Sequence, residues 1–191
     1  TTWGKETDRY GEFPTTPPHN APEHFQGRNR PIPAREDNPY VTAFWKWWPT
    51  LYQNLKHFRM TGGEPMMDKN TYKVFQYIID HPKDDLHLNI TSNMCPPDEK
   101  LKRKYFNMLQ TICLQEKVEH VMQFVSVDSF GKQAEYIRHG LDFNRMMDNV
   151  EEFLYRIPHR NSVTFIITYN NLSVTGLDKL LAKILDLRKT Y

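Results

Sequence analysis

The sequence predicts an α/β fold in which parallel strands alternate with helices. Four short apolar runs are each followed by a segment whose apolar residues recur at helical spacing, and the unit repeats about every 30 residues. This order requires right-handed crossovers, which build either an open sheet or part of a barrel. In both architectures ligands bind at the carboxyl ends of the strands.

The first 56 residues differ in composition from the rest. Eight of the 13 prolines fall within residues 1–50. Because proline fixes φ and lacks an amide donor, we predict an irregular loop over residues 11–40, preceded by a short helix over 2–10. Residues 42–56 are rich in aromatic side chains and predict a helix. One face of this helix is expected to enter a core; it carries Phe44, Trp48, Leu51, Tyr52 and Leu55.

Residues 57–191 carry the repeated βα units, within what we expect to be a single domain overall. Strands are predicted over 57–61, 86–92, 118–127 and 162–168, where apolar and β-branched residues dominate. Asp68 is expected to cap a helix that stops near Pro82, and further helices are predicted over 97–116 and 142–157. Thr175 offers a capping box with Asp178 for the last helix.

Composition excludes several classes of function. The formal net charge of +2 gives no electrostatic reason to expect nucleic acid as a partner. No apolar run approaches the ~20 residues of a membrane helix, and the start does not resemble a signal peptide. Two cysteines cannot form a disulfide scaffold, so a cytoplasmic protein is expected. The eight histidines form no metal-spaced pair, so no metal site is predicted.

Polar residues follow each predicted strand and form the candidate site. A glycine pair allows close approach of backbone to a ligand, and the carboxylate after it suits an ammonium group. The polar residues after the next two strands suit a carboxylate and ribose hydroxyls. Taken singly, these residues are also typical of tight turns and helix caps. Their joint position predicts a pocket for a zwitterionic, ribose-bearing molecule, lined by Gly62, Gly63, Glu64, Thr91, Ser92, Asn93, Ser126 and Asp128.

The order of these motifs resembles the radical S-adenosylmethionine enzymes. Residues 58–65 (FRMTGGEP) resemble that family's Gly-Gly-Glu motif, and residues 88–93 resemble its next strand, with a Thr-Asn end. Residues 125–129 are similar to its Ser-hydrophobic-Asp strand. Residues 134–154 and 165–171 resemble the segments that follow. The resemblance runs in order from about residue 57 to residue 187.

The resemblance implies a partial (β/α) barrel of four to five units that binds S-adenosylmethionine. By analogy, the Gly-Gly-Glu motif would contact the methionine amino group, and one of Thr91, Ser92 and Asn93 its carboxylate. Ser126 and Asp128 would face the ribose or the carboxylate, and Arg138 would lie near the cofactor. In the family an electron from a [4Fe–4S] cluster cleaves the cofactor, and the resulting 5′-deoxyadenosyl radical abstracts a substrate hydrogen.

The sequence departs from this family in its cysteines. The family holds its cluster with a C-x3-C-x2-C motif, whereas Cys95 and Cys113 lie 18 residues apart. We therefore expect a fragment that begins just after that motif and is inactive alone, the cluster belonging only to a longer chain. A cysteine-free relative, acting as a non-catalytic nucleotide-type binding or scaffold module, is the alternative.

Partners follow from the same interpretation. The substrate is unknown, and a peptide or protein substrate is compatible with the resemblance. An incomplete barrel exposes a strand edge and an apolar face. We expect that edge either to form a homodimer or to be covered by residues 11–40.

Overall fold

A computed structural model describes Arg9 and residues 37–191. The chain divides into two compact units, Thr1–Asn54 and Leu55–Tyr191. The predicted helix over residues 2–10 (Arg9 apart) and residues 11–36 of the predicted loop lie outside the described residues.

The first unit contains helix α1, Pro39–Asn54. It begins three residues before the predicted start because Pro39, whose ring fixes a helical φ, suits the first helical position. Asn38 precedes it and accepts a hydrogen bond from the Tyr40 amide at 3.0 Å. Trp48 and Tyr52 are buried, as the predicted face requires, and their ring centroids lie 5.5 Å apart.

The second unit alternates strands and helices. Its strands are β1, His57–Met60; β2, Lys83–Ser92; β3, Val118–Ser126; and β4, Asn161–Ile166. Its helices are α2, Lys69–Asp80; α3, Glu99–Leu114; α4, Gly131–Ile137; α5, Phe143–Arg156; and α6, Leu177–Thr190. Single 3-10 turns occupy Pro65–Met67 and Val174–Gly176.

The four strands form one parallel sheet in the order β1-β2-β3-β4. Met60 pairs with Ile90, Ser92 with Val125, and Ser126 with Ile166. The predicted α/β class and the parallel strand order are therefore confirmed. Because all strands run in one direction, their carboxyl ends meet at a single edge, which we call the carboxyl edge.

Aspartates begin three of the helices. Asp68, Asp98 and Asp142 each accept a hydrogen bond from an amide two or three residues ahead, at 2.7, 2.8 and 3.0 Å. The predicted cap at Thr175 is wrong, because α6 begins after Gly176 with no side-chain cap. The Thr175 hydroxyl instead accepts a hydrogen bond from Gln133 at 2.9 Å. Gln133 belongs to α4, a helix that the sequence analysis did not assign.

One face of the sheet forms the core. In β2 and β3 buried residues alternate with partly exposed ones, as the two-residue period of a strand requires. The buried face includes Leu88, Ile90, Val121 and Val125, all 0% exposed. It joins the apolar sides of the helices, where Phe75, Phe106, Leu109, Met146, Val150 and Phe153 are also 0% exposed.

A polar side chain on this buried face is fully bonded. Gln123 is 0% exposed, and its Nε2 donates to the Ile90 carbonyl at 3.1 Å. Its Oε1 accepts from the Tyr105 hydroxyl at 2.7 Å. Burial raises the pKa of Tyr105, so the phenol stays protonated and remains a donor. Because the amide carries donors and an acceptor that all find partners, its burial costs little.

Over the described residues, no helix combines the length and the apolar character needed to cross a bilayer.

The two cysteines differ in burial, which predicts unequal reactivity. Burial raises the pKa of the Cys113 thiol to about 12, against the influence of the Arg160 charge. At pH 8 only about one Cys113 in ten thousand is then a thiolate, the reactive form. We expect the native protein to react quickly with one equivalent of a disulfide reagent, at Cys95, and with two after unfolding. Fast labelling of the Cys95→Ser variant would contradict this.

Candidate ligand site at the carboxyl edge

The loop after β1 is shaped by two glycines. Gly62 and Gly63 have φ values of +87° and +56°, in the region that other residues rarely adopt. A Cβ atom at either position would meet nothing within 4 Å, so the backbone conformation alone requires glycine. Both glycines are exposed. The turn therefore presents bare backbone at the carboxyl edge, immediately before Glu64.

Glu64 joins the end of β1 to the end of β2. Its Oε1 accepts from the Ser92 hydroxyl at 2.6 Å and from the Met66 amide at 3.1 Å. Its Oε2 accepts from the Asn93 amide at 2.9 Å. A carboxylate has about four lone-pair positions, so these bonds leave room for one further donor on Oε2. We call Glu64, Ser92 and Asn93 the Glu64 cluster.

The segment after β2 is fixed in place by its own polar groups. Ser92 also accepts from the Met94 amide, and Asn93 Oδ1 accepts from the Cys95 amide, both at 2.9 Å. Met94 adopts a left-handed φ of +52°. Its carbonyl accepts from the buried Asn149 side chain at 2.8 Å, which ties this segment to α5.

Asp128 organises the end of β3. It is 4% exposed, and its Oδ2 lies 2.7 Å from Nε of Arg138. Its Oδ1 accepts from Arg138 Nη2 at 3.2 Å and from the Thr168 amide at 2.8 Å. The carboxylate thus links the β3 end, the end of α4 and the segment after β4. We call Asp128, Arg138 and Thr168 the Asp128 cluster.

The predicted site residues therefore occupy one edge but form two clusters. Ser92 pairs with Val125, so Ser126 lies one residue beyond the level of the Glu64 cluster on the neighbouring strand. Thr91 precedes Ser92, and its side chain points to the opposite face of the sheet. There its hydroxyl accepts from Arg59 Nη2 at 3.5 Å.

Sequence reasoning missed several residues that shape the edge. The Asn149 side chain bonds a backbone carbonyl, and Thr168 acts through its own backbone amide. Neither contact corresponds to a sequence motif. Tyr72 makes a local contact instead: it lies six residues after Met66 and donates a hydrogen bond to the Met66 carbonyl. Burial, with the negative charges of Glu64 and Asp98, raises the pKa of Tyr72 to about 12.

The cysteines do not fit an iron–sulfur cluster. Their Sγ atoms contact different backbone carbonyls, Cys95 that of Asp142 at 3.8 Å and Cys113 that of Arg160 at 3.9 Å. Cluster ligation needs several thiolates close together. Within residues 37–191 and at Arg9, no group of three or more His, Cys, Asp or Glu residues is arranged to hold a metal ion.

No family model, curated protein or solved structure matches the chain.

Neutralising Asp128 is expected to destabilise the protein. In an Asp128→Asn variant the amide group replaces an oxygen that faces Arg138 or the Thr168 amide, which places donor against donor. We expect the free energy of unfolding to fall by about 1–3 kcal/mol in urea titrations. Asp178→Asn, at an exposed position in the first turn of α6, makes the same charge change and is the control. Equal stability of the two variants would contradict the role given to Asp128.

Tyr72 predicts loss of stability at alkaline pH. Its pKa is raised in the folded state, so its stabilising contribution is complete below pH 10 and disappears as the pH rises towards 12. Absorbance at 295 nm should show a late phenol ionisation, to which Tyr105 also contributes, and its amplitude should be smaller in the Tyr72→Phe variant. Tyr136→Phe, at a position 80% exposed, should retain that phase. An equal amplitude of the late phase in the two variants would refute the assignment.

Proposed function

We propose that the βα units of this chain bind S-adenosylmethionine at the carboxyl edge, as the core of a radical S-adenosylmethionine enzyme. In this proposal the parallel sheet is part of a (β/α) barrel. The observation that carries it is the Glu64 cluster, which unites the Gly-Gly-Glu turn and the end of the next strand. Its hydrogen bonds join Glu64 to Ser92 and Asn93, which lie 28 and 29 residues further along the chain. They lie at the carboxyl ends of the strands, where parallel sheets of this kind bind their ligands.

The Glu64 cluster suits the amino-acid part of the cofactor. Glu64 Oε2 retains one lone-pair position for an ammonium group. Asn93 Oδ1 accepts from the Cys95 backbone amide, which leaves the side-chain nitrogen Nδ2 of Asn93 as a donor to a carboxylate. The exposed backbone at Gly62 and Gly63 completes the polar surroundings of a zwitterion.

The end of β3 suits the ribose. The Ser126 hydroxyl is partly exposed and, among the residues that the structure describes, makes no side-chain hydrogen bond. We assign the ribose contact to Ser126. Asp128 is nearly buried and already paired, so in this proposal Asp128 and Arg138 fix the end of β3, where Ser126 meets the ligand.

The proposal gives this chain a binding role. A bound [4Fe–4S] cluster would supply the electron that cleaves the cofactor, but Cys95 and Cys113 do not provide its ligands. We derive no catalytic step from these residues, and the hydrogen donor stays unassigned.

One observation favours the alternative, a non-catalytic nucleotide-type binding or scaffold module. The carboxylates of Glu64 and Asp128 each accept three hydrogen bonds or close contacts from the chain itself. Such bonds stabilise the edge without any ligand. The two functions differ in whether the amino-acid part of S-adenosylmethionine is recognised.

Calorimetric titration with S-adenosylmethionine, adenosine and methionine tests the proposal. If the Glu64 cluster holds the amino-acid part, S-adenosylmethionine binds at least tenfold more tightly than adenosine. Glu64→Gln should weaken the binding of S-adenosylmethionine more than tenfold and leave the binding of adenosine unchanged, because only S-adenosylmethionine carries an ammonium group.

Asp186→Asn, with the same charge change at an exposed position near the other end of α6, should bind all three compounds like the parent protein. Thermal unfolding of each variant separates loss of a contact from loss of the fold. Equal affinities for S-adenosylmethionine and adenosine, or no binding by a folded chain, would favour the scaffold module.

A further inference from the structure

The sheet has a second face that the core does not use. Because side chains alternate along a strand, every second residue of each strand points to this face. These residues are His57, Arg59, His87, Asn89, Thr91, His120, Met122, Phe124, Ser126, Ser162, Thr164 and Ile166. All of these side chains are partly or fully exposed. We call it the open face. Its four strands span about 15 Å at the usual strand spacing, enough for a small molecule.

The open face has no negative charge of its own. None of the residues just defined is an aspartate or a glutamate, whereas His57, Arg59, His87 and His120 are among them. Three strands each contribute one of the histidines, and the His57 and His87 rings stack with centroids 4.7 Å apart. The remaining positions are mostly hydroxyl and amide side chains, which donate hydrogen bonds.

Three acidic residues lie at the amino end of this face. Asp84, Asp85 and Glu119 line a cavity of about 410 Å³ together with Lys56, His57 and His87. Arg59 lies two residues further along β1 than His57, or about 7 Å at the rise of a strand. The acidic end and the guanidinium of Arg59 are therefore separate features.

Arg59 is held but not neutralised. Its guanidinium carbon lies 4.7 Å from the centre of the Phe124 ring, and its Nη2 donates to Thr91 at 3.5 Å. Among the described residues, no carboxylate lies within 4.0 Å of it. The Phe124 ring restricts the orientation of the guanidinium plane. Most of the five N–H donors of Arg59 remain available for a bidentate acceptor such as a carboxylate or a phosphate.

We propose that the open face binds a small molecule through an anionic group, a carboxylate or a phosphate, held by Arg59. Asn89 pairs with Arg59 in the sheet register and offers an amide donor beside it. Thr164 on β4 pairs with Phe124 and supplies a hydroxyl beside the ring on which the Arg59 guanidinium lies. A preordered guanidinium forms paired hydrogen bonds to both kinds of anion, and recognition by Arg59 gains specificity from that geometry.

The proposal does not depend on the binding of S-adenosylmethionine. Glu64 and Ser92 meet on the buried side of the carboxyl edge, while Arg59 and Thr91 meet on the open face. Ser126, to which we assign the ribose, also lies on the open face, but Arg59 is not among the residues assigned to S-adenosylmethionine. A Glu64→Gln variant should therefore weaken the binding of S-adenosylmethionine and retain anion binding, which distinguishes the failure of one proposal from the failure of the other.

Nuclear magnetic resonance titration with succinate and with pyrophosphate tests the site. The expected result is a saturable shift of the Arg59 Nε–H signal and of the Thr91 and Phe124 amides at millimolar concentrations of at least one anion. Comparison of the two anions identifies the preferred group. Arg59→Gln should weaken binding at least tenfold, and Arg59→Lys should weaken it less, because the charge remains and the fork is lost.

Arg188→Gln is the matched control. Arg188 is exposed on α6, and the same substitution there removes an equal charge from a distant surface. Unchanged binding in this variant, with loss in Arg59→Gln, supports the site, provided that circular dichroism shows both variants folded. Equal weakening in the two variants would show attraction to net charge and overturn the proposal. Shifts that do not saturate, or that map to the basic residues Lys100, Lys102, Arg103 and Lys104 at the start of α3, would overturn it as well.

Discussion

Parallel pairing of four consecutive strands is the constraint on which the rest of this structure depends. Parallel neighbours cannot be joined by a tight turn, so each connection must travel back along the sheet. The helices α2, α3 and α5 make these returns and bury their apolar sides with Leu88, Ile90, Val121 and Val125. The same constraint brings every strand end to one edge, and the second face of the sheet stays partly exposed and carries mainly polar and basic side chains.

The carboxyl edge is held together by two carboxylates. Glu64 bridges β1 and β2, and Asp128 bridges β3, α4 and the segment after β4. A carboxylate removed from water needs several donors, and here backbone amides, a hydroxyl and a guanidinium provide them. Groups that complete the fold are thus the same groups that a ligand at the edge would meet.

Much of the second unit was predictable from sequence because its signals are local. Asp68, Asp98 and Asp142 begin helices, and the alternation of Leu86 to Ser92 marks a strand whose buried side is apolar. Thr175 shows the limit, since a capping pattern was present but the hydroxyl found a partner in Gln133. Helix α4 is short and polar, and Arg138, which directly follows it, is placed by its ion pair with Asp128 more than by helical periodicity.

The site was less predictable because its partners are distant in sequence. The residues at the strand ends could be grouped at one edge, but their division into two clusters could not be foreseen. The bond from Asn149 to the Met94 carbonyl spans 55 residues and depends on the packing of α5. The stacking of Arg59 on Phe124 likewise depends on a register that only the folded sheet defines.

The alternation of Phe58 and Arg59 along β1 has a consequence for how the chain avoids misfolding. If β1 slipped by one position along β2, the guanidinium of Arg59 would turn into the hydrocarbon interior and Phe58 would turn to water. Burial of an unpaired guanidinium makes that arrangement costly in free energy. The two unlike faces of this four-residue edge strand therefore disfavour the slipped register.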